Sequence, residues 1–322
     1  MEITAKTPVR RADAAAVRDA AMLLRAGRLV AFPTETVYGL GADATNDYAV
    51  AEIFAAKARP RFNPLIVHVA SLELAEKYAE FNGLARKLAA TFWPGALTLV
   101  LPRSTGCVLS QLVSPGLDTV ALRVPAHSIA QELLTKAGRP IAAPSANASG
   151  RVSATTAHHV QRSLGGKVEL ILDGGPTMLG LESSVIGFDA GLPVLLRPGA
   201  ISRGDIENVV GRLGNSANAR VRSPGQLASH YAPRAALRLN ADSVRPGEAL
   251  LAFGAKIPRG ATVTVNLSEV GDIREAAVNL FAHLHSLDAT GLPIAVMPIP
   301  HDGLGEAIND RLARAATAHN GS

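Results

Sequence analysis

The chain has 322 residues, 48% of them hydrophobic and 18% charged, a globular composition with ample core material for one large domain or two ordinary ones. A single cysteine, Cys107, rules out a disulfide framework and a thiolate zinc site, and an aromatic content of 4% argues against a stacking surface made of many rings. The net charge of +5 is uneven: residues 236–322 carry seven Lys/Arg and nine Asp/Glu, so residues 1–235 hold an excess of +7, which suits a nucleotide, a nucleic acid or another anion as partner.

The opening stretch MEITAKTPVRRADAAAV has no apolar leader, and no apolar run approaches the roughly 18 residues of a membrane span, so a cytoplasmic chain is expected. Asp13 can cap a helix over 14–26 that Gly27 ends. LVAFP at 29–33 reads as a strand, and helical periodicity over 47–57 must stop before Pro60. LIVHV at 65–69 is a strand, followed by helices near 72–80 and 84–92, the second stopped by Pro94. Strands follow at 96–102 and 119–125, a helix at 128–137, a short strand at 140–144, a helix at 154–164 and a strand at 168–173. SSVIGFD and PVLLRPG, joined by Ala190-Gly191-Leu192, form a hairpin, and 203–213 is helical. The expected fold class is α/β, an open twisted mixed sheet flanked by helices.

Residues 214–234, GNSANARVRSPGQLASHYAPR, keep no period and are rich in Gly, Asn, Ser and Pro, which marks a linker. Beyond it come strands near 236–240, 248–253 and 261–267, a helix at 272–287, a strand at 293–298 and a helix at 303–317. The expected division is a larger domain at 1–213, a linker at 214–234, and a small Rossmann-like α/β domain at 235–322.

The usual nucleotide fingerprints, G-x-x-x-x-G-K-[ST] and G-x-G-x-x-G after a strand, are missing, as is HExxH. His158-His159 has no carboxylate near it in sequence and does not argue for a metal. Four other stretches stand out. In KARPRFNPLIVHV, Lys57, Arg59 and Arg61 cluster with Asn63 in a turn stiffened by Pro60 and Pro64; the helix dipole accounts for Lys57 but not for three cations, and Arg offers phosphate a fork of donors. APSANASGRVSATT at 143–156 places Ser145, Asn147, Ser149 and Ser153 between a strand and a helix N-terminus, where one capping hydroxyl would suffice. LESSVIGF brings Ser183-Ser184 to a strand start, and LLRPGAI ends its partner strand at Arg197. Arg123 sits inside the apolar strand TVALRVP, where it needs either a bound anion or a structural ion pair. Before all of these, AFPTETVYGLGAD gathers Thr34, Glu35, Thr36 and Tyr38 at a strand end beside two glycines. Basic groups and hydroxyls without a nucleophile–base pair suggest the positioning of a phosphorylated ligand.

PTETVYGLG, KARPRFNPL, PGALTLVL, PSANASG, LESSVI and LRPG, in this order, resemble the YrdC-like threonylcarbamoyl-AMP synthases over about residues 12–213. SPGQLASHYAP and GLGEAINDRLARAA resemble the linker and the end of that family's long, two-domain form. The resemblance implies an adenylyltransferase that turns L-threonine, bicarbonate and ATP, with Mg2+ accompanying the ATP, into threonylcarbamoyl-AMP and diphosphate. A separate transferase complex then carries the group to the tRNA adenosine beside the anticodon, and a weak direct tRNA contact is a further expectation. By motif, Thr36, His68, Arg123, Ala143 (through its backbone) and Ser183 are the implied threonine set. Arg59, Asn63, Thr119, Ser145, Asn147, Ser153, Arg197 and Tyr231 are the implied ATP set, and Lys57 with Arg59 the implied catalytic pair; no metal ligand from the protein is expected. Gly225-Gln226 departs from the Gly-Met often found in the family's linker, which bears on the linker's lid role. The competing class is an RNA-binding module of translation, on the basic charge of 1–235, against which stand the few aromatics and the lack of an RNA motif. A carbamoyl-handling domain like those of hydrogenase maturation is a third reading, weakened by the absence of cysteine-rich zinc motifs.

Overall fold

The computed structural model describes residues 7–215, 225 and 230–317. In chain order the elements are β1 (Val9–Arg11), α1 (Ala14–Arg25), β2 (Val30–Phe32), β3 (Gly39–Asp43), α2 (Asp47–Lys57), β4 (Ile66–His68), α3 (Leu72–Ala75), α4 (Gly83–Phe92), β5 (Leu97–Pro102), β6 (Thr119–Arg123), α5 (Ser128–Ala137), β7 (Ile141–Ala142), α6 (Ala157–Leu164), β8 (Leu170–Asp173), β9 (Ser184–Asp189), β10 (Leu192–Arg197), α7 (Arg203–Val210) and β11 (Gly214–Asn215). Then follow β12 (Leu237–Arg238), β13 (Ala249–Ala252), β14 (Thr264–Asn266), α8 (Ile273–Asp288), β15 (Ile294–Val296) and α9 (Gly305–Thr317).

The first eleven strands form one mixed sheet in the order β1-β8-β2-β3-β7-β4-β6-β5-β9-β10-β11. Helices cover both faces. Ala16, Val17 and Leu24 of α1 and Leu133 and Leu134 of α5 pack on Val30, Phe32, Ile141 and Leu172. The opposite face buries Val50 and Ile53 of α2, Leu88 of α4 and Val160 of α6 against Leu40, Val67, Leu99 and Leu122. The mixed sheet flanked by helices read from the sequence is therefore the observed fold.

Local chemistry accounts for most element ends. The Asp13 carboxylate accepts from Ala16 N at 2.8 Å and caps α1 as expected. Ala58, at φ 50°, ends α2 and turns the chain into the basic loop. Several expectations shift for tertiary reasons. The helix expected over 72–80 closes at Ala75, because Ala79 bridges to Arg103 and Glu80 N donates to Pro102 O beside β5. The helix expected from 154 starts at 157: Thr156 is its cap, and Ser153 is drawn into the site. β3 lies outside the sequence expectation, since GLGAD has little strand propensity; it pairs antiparallel with both β2 and β7, and a Cβ on Gly41 would stand 2.8 Å from the Phe32 ring. β1 and β11 are two further short strands that the sequence pattern does not mark, and β11 extends the first sheet two residues into the expected linker. The rest of that linker, 216–224 and 226–229, lies outside the described residues, Gln226 included.

The second sheet is all parallel, in the order β12-β15-β13-β14, with α8 and α9 packed on it. Its core is continuous with the first unit: Val37, Val152, Leu181 and Tyr231 join Leu280, Phe281 and Ile308 in one buried cluster. Polar ties reinforce the junction. Arg203 pairs with Glu306 at 2.7 Å, His285 Nε2 donates to Ser153 O at 3.0 Å, and the His159 and His285 rings stack at 3.9 Å.

Gly180, at φ +65°, abuts the α8 backbone so closely that a Cβ would collide with Val278 O and stand 2.7 Å from Ala277 O. Gly180→Ala is accordingly expected to lower stability by about 1–3 kcal/mol. The measurement is the urea midpoint; an unchanged midpoint would show that α8 can retreat without cost.

Candidate active site

One pocket gathers side chains from most of these motifs. It contains about 510 Å³ of space between atoms, its mouth included, and is lined among others by Thr34, Thr36, Arg59, His68, Arg123, Ala143, Ser145, Glu182, Ser183, Arg197, Gly225, His230 and Tyr231. The pairing senses put the ends of β2 and β7 at one edge of the sheet and the ends of β4, β6 and β10 at the other. The pocket therefore does not sit at a single sheet edge. The central strands β4 and β7 have three and two residues, so groups from both edges meet across about 10 Å.

The β2–β3 turn supplies the first wall. Thr34 Oγ1 donates to Val37 O at 2.6 Å and lies 2.8 Å from Thr36 Oγ1, which fixes Thr36 toward β6. Arg123, 3% exposed, donates to Thr36 Oγ1 at 2.9 Å, to Glu35 Oε1 at 2.6 Å and to Gly95 O at 3.1 Å. Glu35 is therefore the buried arginine's ion-pair partner, and Arg123 lines the pocket as well. Burial raises the Glu35 carboxyl, but the charge and hydrogen bond of Arg123 outweigh this and hold it below its ordinary value. Tyr38 braces the turn: its hydroxyl donates to Gly175 O at 2.7 Å and accepts from Gly174 N at 3.2 Å. In register with Arg123 stands His68, whose ring meets the Phe32 ring edge-on. Burial, aided by the Arg123 charge, drives His68 down to about 3, so it is a neutral imidazole.

The basic turn behaves in three ways. Arg59 donates to Asn63 O at 3.2 Å and to Pro64 O at 2.8 Å, which aims the rest of its fork into the pocket. Lys57 does not line the pocket. Its 1% exposed ammonium donates to Ser145 O at 2.5 Å and to Asn147 O, holding the PSAN loop from behind, and burial with the nearby Arg59 charge lowers it well below the usual lysine value. Arg61 is exposed. Arg197 closes the far wall: it donates to Ser183 O at 2.7 Å and to Ser183 Oγ at 3.2 Å, while Ser183 Oγ also meets Thr98 Oγ1 at 2.7 Å. Gly225 lies against Arg197 and the Tyr231 hydroxyl at φ +86°, with no room for a side chain.

Among the sequence-derived residues, Thr36, Arg59, His68, Arg123, Ala143, Ser145, Ser183, Arg197 and Tyr231 converge on the pocket. The Ala143 N–H goes to Ile66 O at 2.9 Å, which leaves its carbonyl to serve an occupant. Lys57, Asn63, Asn147 and Ser153 stand buried behind the lining. Thr119 does not join them: it starts β6, four residues from Arg123, and borders a separate hollow with Phe81, Pro102 and Phe188. Sequence reasoning misses Glu182 and His230, although both lie inside quoted motifs, LESS and HYAP. Glu182 accepts from Ser153 Oγ at 2.5 Å and from Arg311 at 2.9 Å; burial raises it, and Arg311 and Arg197 more than reverse that.

Several buried polar atoms here have no hydrogen-bond partner: both side-chain atoms of Asn63, His68 Nδ1, Glu35 Oε2, Asn147 Oδ1, His230 Nδ1 and the Tyr231 hydroxyl. Such groups are rare in a folded protein, and their concentration around one pocket marks a place shaped for a polar occupant.

Residues 22–199 match the Sua5/YciO/YrdC family, described as "Telomere recombination", and residues 201–317 match the family "Threonylcarbamoyl-AMP synthase, C-terminal domain". A threonylcarbamoyl-AMP synthase of Pyrococcus abyssi is 45% identical over 321 residues, covering 93% of this chain and 94% of the relative. One from Bacillus subtilis is 40% identical and covers 93% and 92%. The crystal structure of P. abyssi Sua5 complexed with L-threonine aligns with a TM-score of 0.87 at 41% identity over 97% of both chains.

Three histidines, His68 and His230 buried and His159 half-buried, have values near 3. The unfolded chain takes up protons at these positions near the ordinary 6.5, before the folded chain does, so folding stability should hold above that pH and decline as pH falls toward 3. Glu35 and Glu182, held below 4.5, add further loss at the acid end. Urea midpoints measured from pH 8 to 4 should show the decline, lessened in His159→Asn; a midpoint constant across that range would contradict the neutral state of these histidines.

Proposed function

The chain belongs to the Sua5/YciO/YrdC family in its two-domain form, and we propose that it is an L-threonylcarbamoyladenylate synthase: an adenylyltransferase that joins L-threonine, bicarbonate and ATP into threonylcarbamoyl-AMP with release of diphosphate. The observation that carries this reading is the pocket itself, lined by the buried guanidiniums of Arg59, Arg123 and Arg197 and by His68, His230 and Tyr231, each with an unpartnered polar atom.

We place L-threonine against Thr36, His68, Arg123, the Ala143 carbonyl and Ser183. Three of the five Arg123 N–H groups are engaged by Thr36, Glu35 and Gly95, which leaves two for the amino-acid carboxylate. Neutral His68 can hydrogen-bond the substrate without adding charge. On the other side, Arg59, Ser145, Arg197 and Tyr231 would take ATP, with Asn63, Asn147 and Ser153 shaping the wall behind. Lys57 supports catalysis from behind that wall, by fixing the loop that carries Ser145.

In the chemistry proposed, the threonine amine and bicarbonate give a carbamate with loss of water. A carbamate oxygen attacks the α-phosphorus and diphosphate leaves, so no protein nucleophile is required. The task of the protein is to hold two anions close together, and cations fixed in a dry site do this without reorganising during the reaction. Magnesium would arrive with the ATP and neutralise charge on its phosphates. The product would pass in the cytoplasm to a tRNA threonylcarbamoyl-transferase complex.

Diphosphate release should depend on both threonine and bicarbonate, and release indifferent to threonine would sink the assignment. Arg59→Ala should reduce turnover by about a hundredfold or more. Its circular dichroism should match the parent's, which separates lost chemistry from lost fold.

A further inference from the structure

The second domain contributes one side chain, behind the pocket wall, that no motif assigned. Arg311 on α9 is fully buried, at 0% exposed. It donates from Nε to Glu182 Oε2 at 2.9 Å and from Nη2 to Pro198 O at 2.9 Å, pairs with Asp310 at 2.6 Å, and lies 4.9 Å over the Tyr231 ring. These contacts bracket the active wall. Glu182 directly precedes Ser183, Pro198 directly follows Arg197, and Gly199 is packed so tightly that a Cβ would stand 2.5 Å from Glu182 O. Burial works against the Arg311 charge, but Tyr231, Glu182 and Asp310 more than offset it.

Glu182 itself lines the pocket beside Arg59 and Arg197. An ionised carboxylate in that position repels a polyphosphate, and a dry surrounding magnifies the repulsion. We propose that Arg311 is a positioning residue for the nucleotide half of the site: it neutralises Glu182, and it holds the Ser183 and Arg197 strand ends and the Tyr231 ring in the arrangement that receives the triphosphate. The second domain thereby completes the site in the same chain. The inference rests on the reading of the pocket as an ATP site.

Removing one partner of a buried ion pair leaves an uncompensated charge, whereas removing both is often nearly neutral. Binding of a non-hydrolysable ATP analogue is therefore measured by calorimetry on the full-length parent, Arg311→Met, Arg311→Lys and the Arg311→Met/Glu182→Gln double variant. The amide oxygen introduced by Glu182→Gln would still accept from Ser153 Oγ. Arg311→Met should weaken analogue binding about tenfold or more, Arg311→Lys less, and the double variant should regain most of the loss. In turnover, the KM for ATP should rise in Arg311→Met while the KM for threonine changes by less than about twofold. The proposal is overturned if the double variant binds no better than Arg311→Met, or if both KM values rise together in step with a fall in melting temperature. Should Arg311→Met fail to fold, Arg311→Lys decides: analogue affinity equal to the parent's overturns the proposal. Failure of the functional reading shows separately, as parent protein that binds the analogue but releases no threonine-dependent diphosphate.

Discussion

Taking cations out of water around one small space is the constraint on which the rest of this structure depends. Lys57, Arg59, Arg123, Arg197 and Arg311 are each at most 7% exposed. Such burial is tolerable only if the N–H groups find acceptors. Glu35, Glu182 and Asp310 supply carboxylates, Thr36 and Ser183 supply hydroxyls, and the other acceptors include carbonyls of turns: Ser145, Asn147, Asn63, Pro64, Gly95, Ser183 and Pro198. Strand carbonyls are committed to the ladder, so these acceptors have to come from irregular backbone. That is why the motifs are polar turns stiffened by proline, and why Ala58 takes a left-handed conformation between Lys57 and Arg59. The carbonyls satisfy donors without cancelling charge, so Arg59 and Arg197 keep theirs where an anion is to be held.

The same constraint explains the tie between the two units. A carboxylate placed among the pocket's arginines needs its own compensation, and it comes from α9 of the second sheet. Tyr231, whose φ is +63°, is buried in the shared core between Phe281 and Arg311 with its hydroxyl left without a partner. Strained backbone of this kind persists where packing over-determines it, and it accumulates at functional sites. The one described residue of the connecting segment between 215 and 230, Gly225, reaches the pocket too, against Arg197 and Tyr231. The C-terminal unit is therefore joined to the catalytic wall through packing, charge and chain connection at once.

Much of the scaffold was legible in sequence because local rules and tertiary context agree there. Asp13 caps the helix it precedes, and the β9–β10 hairpin turns where Ala190 and Gly191 adopt positive φ. The misreadings fall where long-range pairing overrides local preference. GLGAD makes a central strand only because β2 and β7 flank it, and the expected helix at 72–80 yields to the pull of β5. In the site, motif matching found most pocket residues but could not tell facing side chains from supporting ones. Lys57 and Arg59 sit two residues apart in one turn, yet the left-handed residue between them sends one behind the loop and the other into the pocket.

By itself the sequence determined the class of fold, the family, and the set of turns that carry chemistry, because periodicity, capping and turn residues act over a few positions and leave a local trace. Only the tertiary structure decided that Arg123 is neutralised by Glu35 yet still faces the pocket, that Thr119 borders a different hollow, and that Glu182 stands in the lining compensated by Arg311 from 129 residues away. Charge compensation in a dry interior depends on distance in space, and residues far apart in the chain carry no local mark of the partner that the fold will give them.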